Sequence, residues 1–123
     1  MEQQESFGML RVAAASPRLR VADCATNAQH LLDLMGQAGR AGVTLLVFPE
    51  LCLTGYTCGD LFQQQALQHA ALAALAQVRD ATSEQFSGVA VVGLPVVVQG
   101  QLFNTAAVLY RGRILGVVPK SFL

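Results

Sequence analysis

Glu50 is the first residue whose type and position suggest chemistry. It follows the apolar run Val43–Phe48, which is typical of a strand that is covered on both faces. In open α/β sheets, ligand-binding groups collect just beyond such strand ends. The apolar flanks Pro49 and Leu51 are expected to remove water from the carboxylate and raise its pKa, which suits a general base. A solvated loop carboxylate is the alternative that position alone leaves open.

Lys120 is the second such residue, because it is the only lysine among eight basic residues. It comes two residues after the apolar segment Arg113–Val118, which is predicted to be a strand. A compact ammonium group at a strand end can stabilise an oxyanion through a point charge, without the planar fork of arginine. A surface lysine that happens to follow a strand is the alternative.

The three cysteines, Cys24, Cys52 and Cys58, are the local candidates for a nucleophile. Their odd number does not make a disulfide framework. Cys24 precedes a predicted helix, which would lower its pKa slightly, but none of the three lies at a strand-to-helix elbow. We therefore expect buried or incidental thiols. His30 and His69 stand alone on predicted helices, and no Cys or His pair has metal-ligand spacing, so no metal site is predicted.

Two helices are predicted between the strands. The first is expected to start at a capping box formed by Thr26 and Gln29 and to stop at Gly42. The second is expected to run from Asp60, a good N-cap, to about Ala81.

Five strands complete the order β-α-β-α-β-β-β, which predicts an α/β fold. The last three are expected to form a meander of hairpins with turns at Gly100-Gln101 and Arg111-Gly112. The predicted strands are Leu10–Ser16, Val43–Phe48, Val89–Gln99, Leu102–Tyr110 and Arg113–Val118.

The composition predicts one domain or a piece of one. The chain has 123 residues, of which 53% are hydrophobic and only 13% charged, about half the usual charged share of a soluble domain. Eight acidic residues balance the eight basic ones, so there is no basic field to attract nucleic acid. Residues 1–9 are expected to be flexible. They show no signal peptide, and no apolar run is long enough to span a membrane, so a cytoplasmic location is expected.

Three segments stand in an informative order: VFPELCLTGY at Val47–Tyr56, FNTA at Phe103–Ala106 and GRILGVVPK at Gly112–Lys120. They resemble the glutamate motif, an intervening strand motif and the lysine motif of the carbon–nitrogen hydrolase (nitrilase) superfamily. The resemblance covers about residues 10–123. Within the superfamily, the segments LRVAAA, GDLF and VVPKS look most like the glutaminase domain of bacterial glutamine-dependent NAD synthetases.

The resemblance implies an α-β-β-α sandwich, of which residues 10–123 would be the N-terminal half. Glu50 would be the general base that takes a thiol proton, and Lys120 would stabilise the tetrahedral oxyanion. The attacking cysteine lies well beyond the lysine motif in this family, and the present chain does not reach it. Tyr56 would either line the glutamine pocket or pack its loop, and Asn104 is expected to hold its strand rather than touch substrate.

The implied partners are glutamine and a synthetase domain of a longer parent chain. That domain would use ATP and Mg to convert deamido-NAD to NAD, whereas no cofactor is expected in the present domain. A homo-oligomer is also expected.

The main departure from the family pattern is the missing cysteine, so we expect a truncated and inactive fragment. Phe103 and Phe122 also stand where related sequences often have tyrosine. Two alternatives remain, namely another amidase of the superfamily and a non-catalytic truncated module. All hydrolase interpretations require Glu50 and Lys120 to meet on one face of the sheet. If the two residues lay on opposite faces, the hydrolase interpretations would be excluded.

Overall fold

The computed structural model describes residues 9–120, and its elements follow the predicted order β-α-β-α-β-β-β. Apart from Met9, the predicted flexible segment 1–9 lies outside the described residues, as do Ser121 and Phe122. The elements are β1 (Val12–Ala14), α1 (Cys24–Arg40), β2 (Leu45–Val47), α2 (Gln65–Glu84), β3 (Val89–Val98), β4 (Gln101–Tyr110) and β5 (Arg113–Pro119).

The five strands form one sheet whose spatial order is the chain order, β1-β2-β3-β4-β5. The first three are parallel because a helix connects each to the next, and β3, β4 and β5 are antiparallel because short turns join them. The turn residues Gln99, Gly100, Arg111 and Gly112 all have positive φ, as two-residue hairpin turns require. The predicted β3, β4, β5 and their turns are confirmed to within one residue, whereas β1 and β2 are shorter than predicted.

Both helix starts differ from the prediction. The first helix begins at Cys24, because the Asp23 carboxylate accepts a bond from the backbone nitrogen of Thr26 (3.2 Å) and caps the helix earlier than the expected Thr26–Gln29 box. Residues Gly59–Gln63 form a short 3₁₀ helix rather than the start of α2. The extended backbone of Gln64 (φ −82°, ψ 132°) separates the two, so α2 starts at Gln65 and continues to Glu84.

The two helices pack together and cover one face of the sheet. Each large side chain that is fully buried there contributes roughly 1.5–3 kcal/mol to folding. Close approach of the helix ends depends on Gly39, since a Cβ at that position would lie 2.8 Å from the carbonyl oxygen of Gln85. The fully buried large apolar side chains are Leu31, Met35, Leu46, Leu53, Val78, Phe86, Val92, Leu94 and Leu109.

The other face of the sheet carries no helix within residues 9–120, and most of its side chains are apolar. Val12, Val47 and Val118 lie on it with exposed fractions of 61%, 40% and 58%. One helical layer on one sheet confirms the predicted α/β class and forms an α-β half of the expected α-β-β-α sandwich. Neither described helix combines the length and apolar character needed to cross a membrane.

Candidate active site

A tight turn places Glu50 on the uncovered face of the sheet. The strand β2 ends at Val47, and the backbone nitrogen of Phe48 still donates to the carbonyl of Val91 (2.9 Å). The turn then crosses β3 above Gly93, which has no side chain to block it. Leu51 has positive φ (52°), and the backbone nitrogen of Leu53 donates to the carbonyl of Gly93 (3.2 Å). The turn is therefore held on β3 from both sides of Glu50.

The end of β5 brings Lys120 to the same face. The last pairs of the β4–β5 ladder are Ala106 with Val118 and Thr105 with Pro119. The backbone nitrogen of Lys120 continues the ladder by donating to the carbonyl of Asn104 (2.8 Å). Because directly paired residues share a face, Lys120 and Asn104 lie on the side of the sheet that carries Glu50.

Three side chains meet at this point. The ammonium nitrogen of Lys120 lies 3.1 Å from Oε1 of Glu50, and the amide nitrogen of Asn104 donates to the same oxygen. The Glu50 and Lys120 side chains are 41% and 62% exposed, so solvent still reaches the pair. The expected convergence of the carboxylate and the ammonium on one face is therefore present.

A groove of about 320 Å³ opens beside the three side chains. Apart from Glu50, Asn104 and Lys120, its walls are mostly apolar and come from β2, β3, β4 and β5. A larger cavity of about 720 Å³ is lined by Arg40, Glu84 and Arg111, among others, and includes none of these three residues. Of the two, the small groove is the one whose carboxylate and ammonium group are in direct contact, 3.1 Å apart.

The pKa of Glu50 is shifted in the direction opposite to the one expected from its flanking residues. The hydrogen bond from Lys120 is the largest cause and lowers the pKa below its ordinary value; the bond from Asn104 lowers it further. Partial burial acts the other way and is outweighed. The expected rise from Pro49 and Leu51 is therefore wrong, and Glu50 is ionised at neutral pH.

Asn104 was expected to hold its strand rather than touch substrate, and its backbone carbonyl does accept from the backbone nitrogen of Lys120 (2.8 Å). In addition, its side-chain amide donates to Glu50, which lies 54 residues earlier. Its neighbour Thr105 points to the helix-covered side and donates to the carbonyl of Leu94 (2.8 Å). A signal for Asn104 was present in the sequence, because it is a polar residue with apolar β4 neighbours two positions away at Leu102 and Ala106.

Tyr56 lies in the loop after Gly55 and is 54% exposed. It is not among the residues that line the groove. Its assignment to a glutamine pocket stays a prediction.

All three cysteines are buried. Burial raises the pKa of Cys24 and of Cys52 to about 11 in each case, so the expected lowering of the Cys24 pKa by its helix is wrong. The Cys52 thiol exchanges hydrogen bonds with the backbone of Gly93 (3.3 and 3.6 Å), and the Cys58 thiol donates to the carbonyl of Thr54 (3.2 Å). These contacts are those of packed core residues.

Comparison with known proteins gives a consistent family likeness. The sequence profile of the carbon–nitrogen hydrolases matches residues 11–121. The chain is 40% identical over 116 residues to a glutamine-dependent NAD(+) synthetase of Mycobacterium tuberculosis, covering 94% of this chain and 17% of that protein. It thus spans about a sixth of the length of this relative.

Solved structures agree in fold. The glutamine-dependent NAD(+) synthetase from Cytophaga hutchinsonii superposes with a TM-score of 0.85 at 28% identity, over 93% of this chain and 19% of that chain. A mutant of the nitrilase-superfamily amidase from Nesterenkonia sp. AN1, in complex with butyramide, superposes with a TM-score of 0.78 at 25% identity, over 93% of this chain and 44% of that chain.

Proposed function

The chain belongs to the carbon–nitrogen hydrolase family, and from this premise we propose that it supplies the base and the oxyanion-stabilising cation of an amide-hydrolysing site. The contact between Lys120 and Glu50, 3.1 Å from nitrogen to oxygen, carries the proposal. The two residues are 70 positions apart, and both project from strand ends into one groove. A lysine placed only for surface charge would not need this position.

The proposed chemistry is acyl transfer through a thiol. Glu50, whose ionised form is stabilised by the bonds from Lys120 and Asn104, takes the proton of a cysteine thiol. The thiolate attacks the amide carbonyl carbon, and Lys120 stabilises the negative charge that forms on the carbonyl oxygen. The carbon–nitrogen bond then breaks, the nitrogen leaves as ammonia with the proton returned from Glu50, and a thioester remains. Water hydrolyses the thioester to the carboxylic acid and restores the thiol.

The thiol must come from another part of a longer polypeptide. The three cysteines of this chain are buried, and those with raised pKa values carry almost no thiolate at neutral pH. We therefore propose that the 123-residue chain alone does not hydrolyse amides.

Glutamine is the proposed amide, and NAD synthesis the proposed use of its ammonia. The support is the likeness to glutamine-dependent NAD(+) synthetases, of which this chain corresponds to about a sixth. In the longer protein, ATP and Mg²⁺ would serve a separate synthetase domain, a proposal that rests on the same likeness. A homo-oligomeric state and a cytoplasmic location remain predictions of the same kind.

The test is ammonia release from glutamine by the full-length protein. We expect Glu50→Gln and Lys120→Met each to lower kcat/KM by about a hundredfold or more, as loss of a general base or an oxyanion donor does. Glu84→Gln and Arg113→Gln, which remove charges away from the groove, should leave the rate unchanged. Full activity in Glu50→Gln would reject the proposal.

A second candidate is hydrolysis of a small aliphatic amide without a synthetase step. The specific support is the likeness to an amidase that was solved with butyramide, together with the mostly apolar groove. Rates with glutamine and with butyramide separate the two candidates. A preference for butyramide, with no ammonia from glutamine, would favour the simple amidase.

A further inference from the structure

We propose that Asn104 is a positioning residue that fixes the carboxylate of Glu50, so that Oε1 is held and Oε2 is the oxygen that takes the thiol proton. This inference rests on the proposed function, because it assigns a proton to one of the two oxygens. It goes beyond the Glu50–Lys120 pair because it gives a role to Asn104, a neutral side chain on β4.

Within residues 9–120, both side-chain donors to the Glu50 carboxylate bond the same oxygen. The Asn104 amide nitrogen and the Lys120 ammonium nitrogen each bond Oε1, and no side chain within residues 9–120 donates to Oε2. Two donors from different strands define the plane of the carboxylate, whereas a single flexible lysine would leave it free to rotate. Oε2, which no side chain among residues 9–120 engages, is the oxygen available to a proton donor.

The position of Asn104 is itself fixed from two directions. Its backbone carbonyl accepts from the backbone nitrogen of Lys120 (2.8 Å), and its residue pairs with Pro95 on β3. The same residue therefore sets the end of β5 through its backbone and orients Glu50 through its side chain. Only the second role needs an amide.

An amide suits this position better than a second cation would. Asn donates a hydrogen bond without titrating and without adding charge. It therefore holds Oε1 at every working pH, and it leaves Lys120 as the single ammonium beside the groove. That ammonium has three donors, so it can bond Glu50 and an oxyanion at the same time.

The first experiment follows the titration of Glu50 by carbon NMR in the 123-residue chain. Asn104→Ala should raise the pKa of Glu50, because it removes one of the two bonds that stabilise the ionised form. Asn104→Asp should raise it further, because a second carboxylate repels the first. Gln101→Ala is the matched control, because Gln101 is an exposed amide on the same strand, and it should leave the pKa of Glu50 unchanged. A Glu50 titration in Asn104→Ala identical to that of the unmodified chain would reject the positioning role.

The second experiment measures kcat and KM against pH in the full-length protein. We expect Asn104→Ala to lower kcat by about 10- to 100-fold, as displacement of a catalytic group does. The KM for glutamine should change little, and the acid limb of the profile should move to higher pH. Gln101→Ala should keep the unmodified profile.

The outcomes separate the two claims. Absence of ammonia release by the unmodified full-length protein would reject the proposed function, even if Asn104 still controls the titration of Glu50. Ammonia release with an unshifted acid limb in both Asn104→Ala and Asn104→Asp would reject only the role of Asn104. A fall in kcat that Asn104→Ser partly restores would support a hydrogen-bond donor over a packing role.

Discussion

Gly93 lies directly beneath Glu50: a Cβ placed on Gly93 would lie 3.0 Å from the carbonyl carbon of Glu50 and 2.8 Å from the carbonyl oxygen of Pro49. The turn that carries the candidate base thus rests on a strand position without a side chain. Any larger residue must lift the turn or bend β3.

Gly93→Ala should therefore destabilise the fold. We expect the free energy of unfolding, from urea titration, to fall by about 1–3 kcal/mol, as overpacking of a tight site does. Gly116→Ala is the matched control, since no heavy atom lies within 4 Å of a Cβ at that strand position. Gly116→Ala should leave the free energy of unfolding unchanged or raise it by up to about 1 kcal/mol. Equal losses in both variants would contradict the close approach at Gly93.

Asn27 ties the loop after Glu50 to the first helix. Its amide bonds both backbone groups of Arg20 (2.7 and 2.8 Å) and the carbonyl of Leu53 (3.0 Å), and it is fully buried. Asn27→Ala leaves these groups without partners, so we expect a loss of about 1–3 kcal/mol in the free energy of unfolding. Gln29→Ala, an exposed amide on the same helix, should change it by less than about 0.5 kcal/mol. A loss in Gln29→Ala as large as that in Asn27→Ala would argue against the buried network.

The contribution of the Glu50–Lys120 ion pair to stability should decrease as the pH falls. Because the folded-state pKa of Glu50 is lowered, its contribution to stability is present above the ordinary pKa and disappears as pH falls through the lowered value. A double-mutant cycle with Glu50→Gln and Lys120→Met should show favourable coupling at pH 7 and none in strong acid. Both side chains are partly exposed, so added salt should also weaken the coupling. Coupling that grows as the pH falls would contradict a stabilising ion pair between an ionised Glu50 and Lys120.

The buried thiols should react slowly in the folded protein. With pKa values of about 11, Cys24 and Cys52 are protonated at pH 8, where only about one molecule in a thousand carries the reactive thiolate. We expect iodoacetamide to label them only after denaturation, as followed by mass spectrometry of peptides. Rapid labelling of Cys52 under native conditions would mean that the thiol is not held against Gly93.

The sequence located the two charged residues because each follows an apolar strand in a chain with few charges. It could not identify Asn104 as their partner, because strand alternation places a residue on one of two faces and only the register of β4 against β5 decides which residue meets Lys120. The direction of the Glu50 pKa shift was missed for the same reason. Its flanks are local and apolar, whereas the donors that lower the pKa lie 54 and 70 residues away.

The helix starts show a different limit of prediction from the sequence. Asp23 and Thr26 are both good caps, and local sequence does not decide between neighbouring candidates. The separation of the 3₁₀ helix from α2 depends on the extended backbone of Gln64, and glutamine has no strong preference for that conformation.

Each strand joins the sheet beside the strand made just before it. During synthesis, Glu50 therefore emerges long before its counter-charge, and β5 brings Lys120 to it last. The pair can form only after β5 has paired with β4, because that ladder positions Lys120. The ion pair of this groove therefore depends on the last of the five described strands being in place.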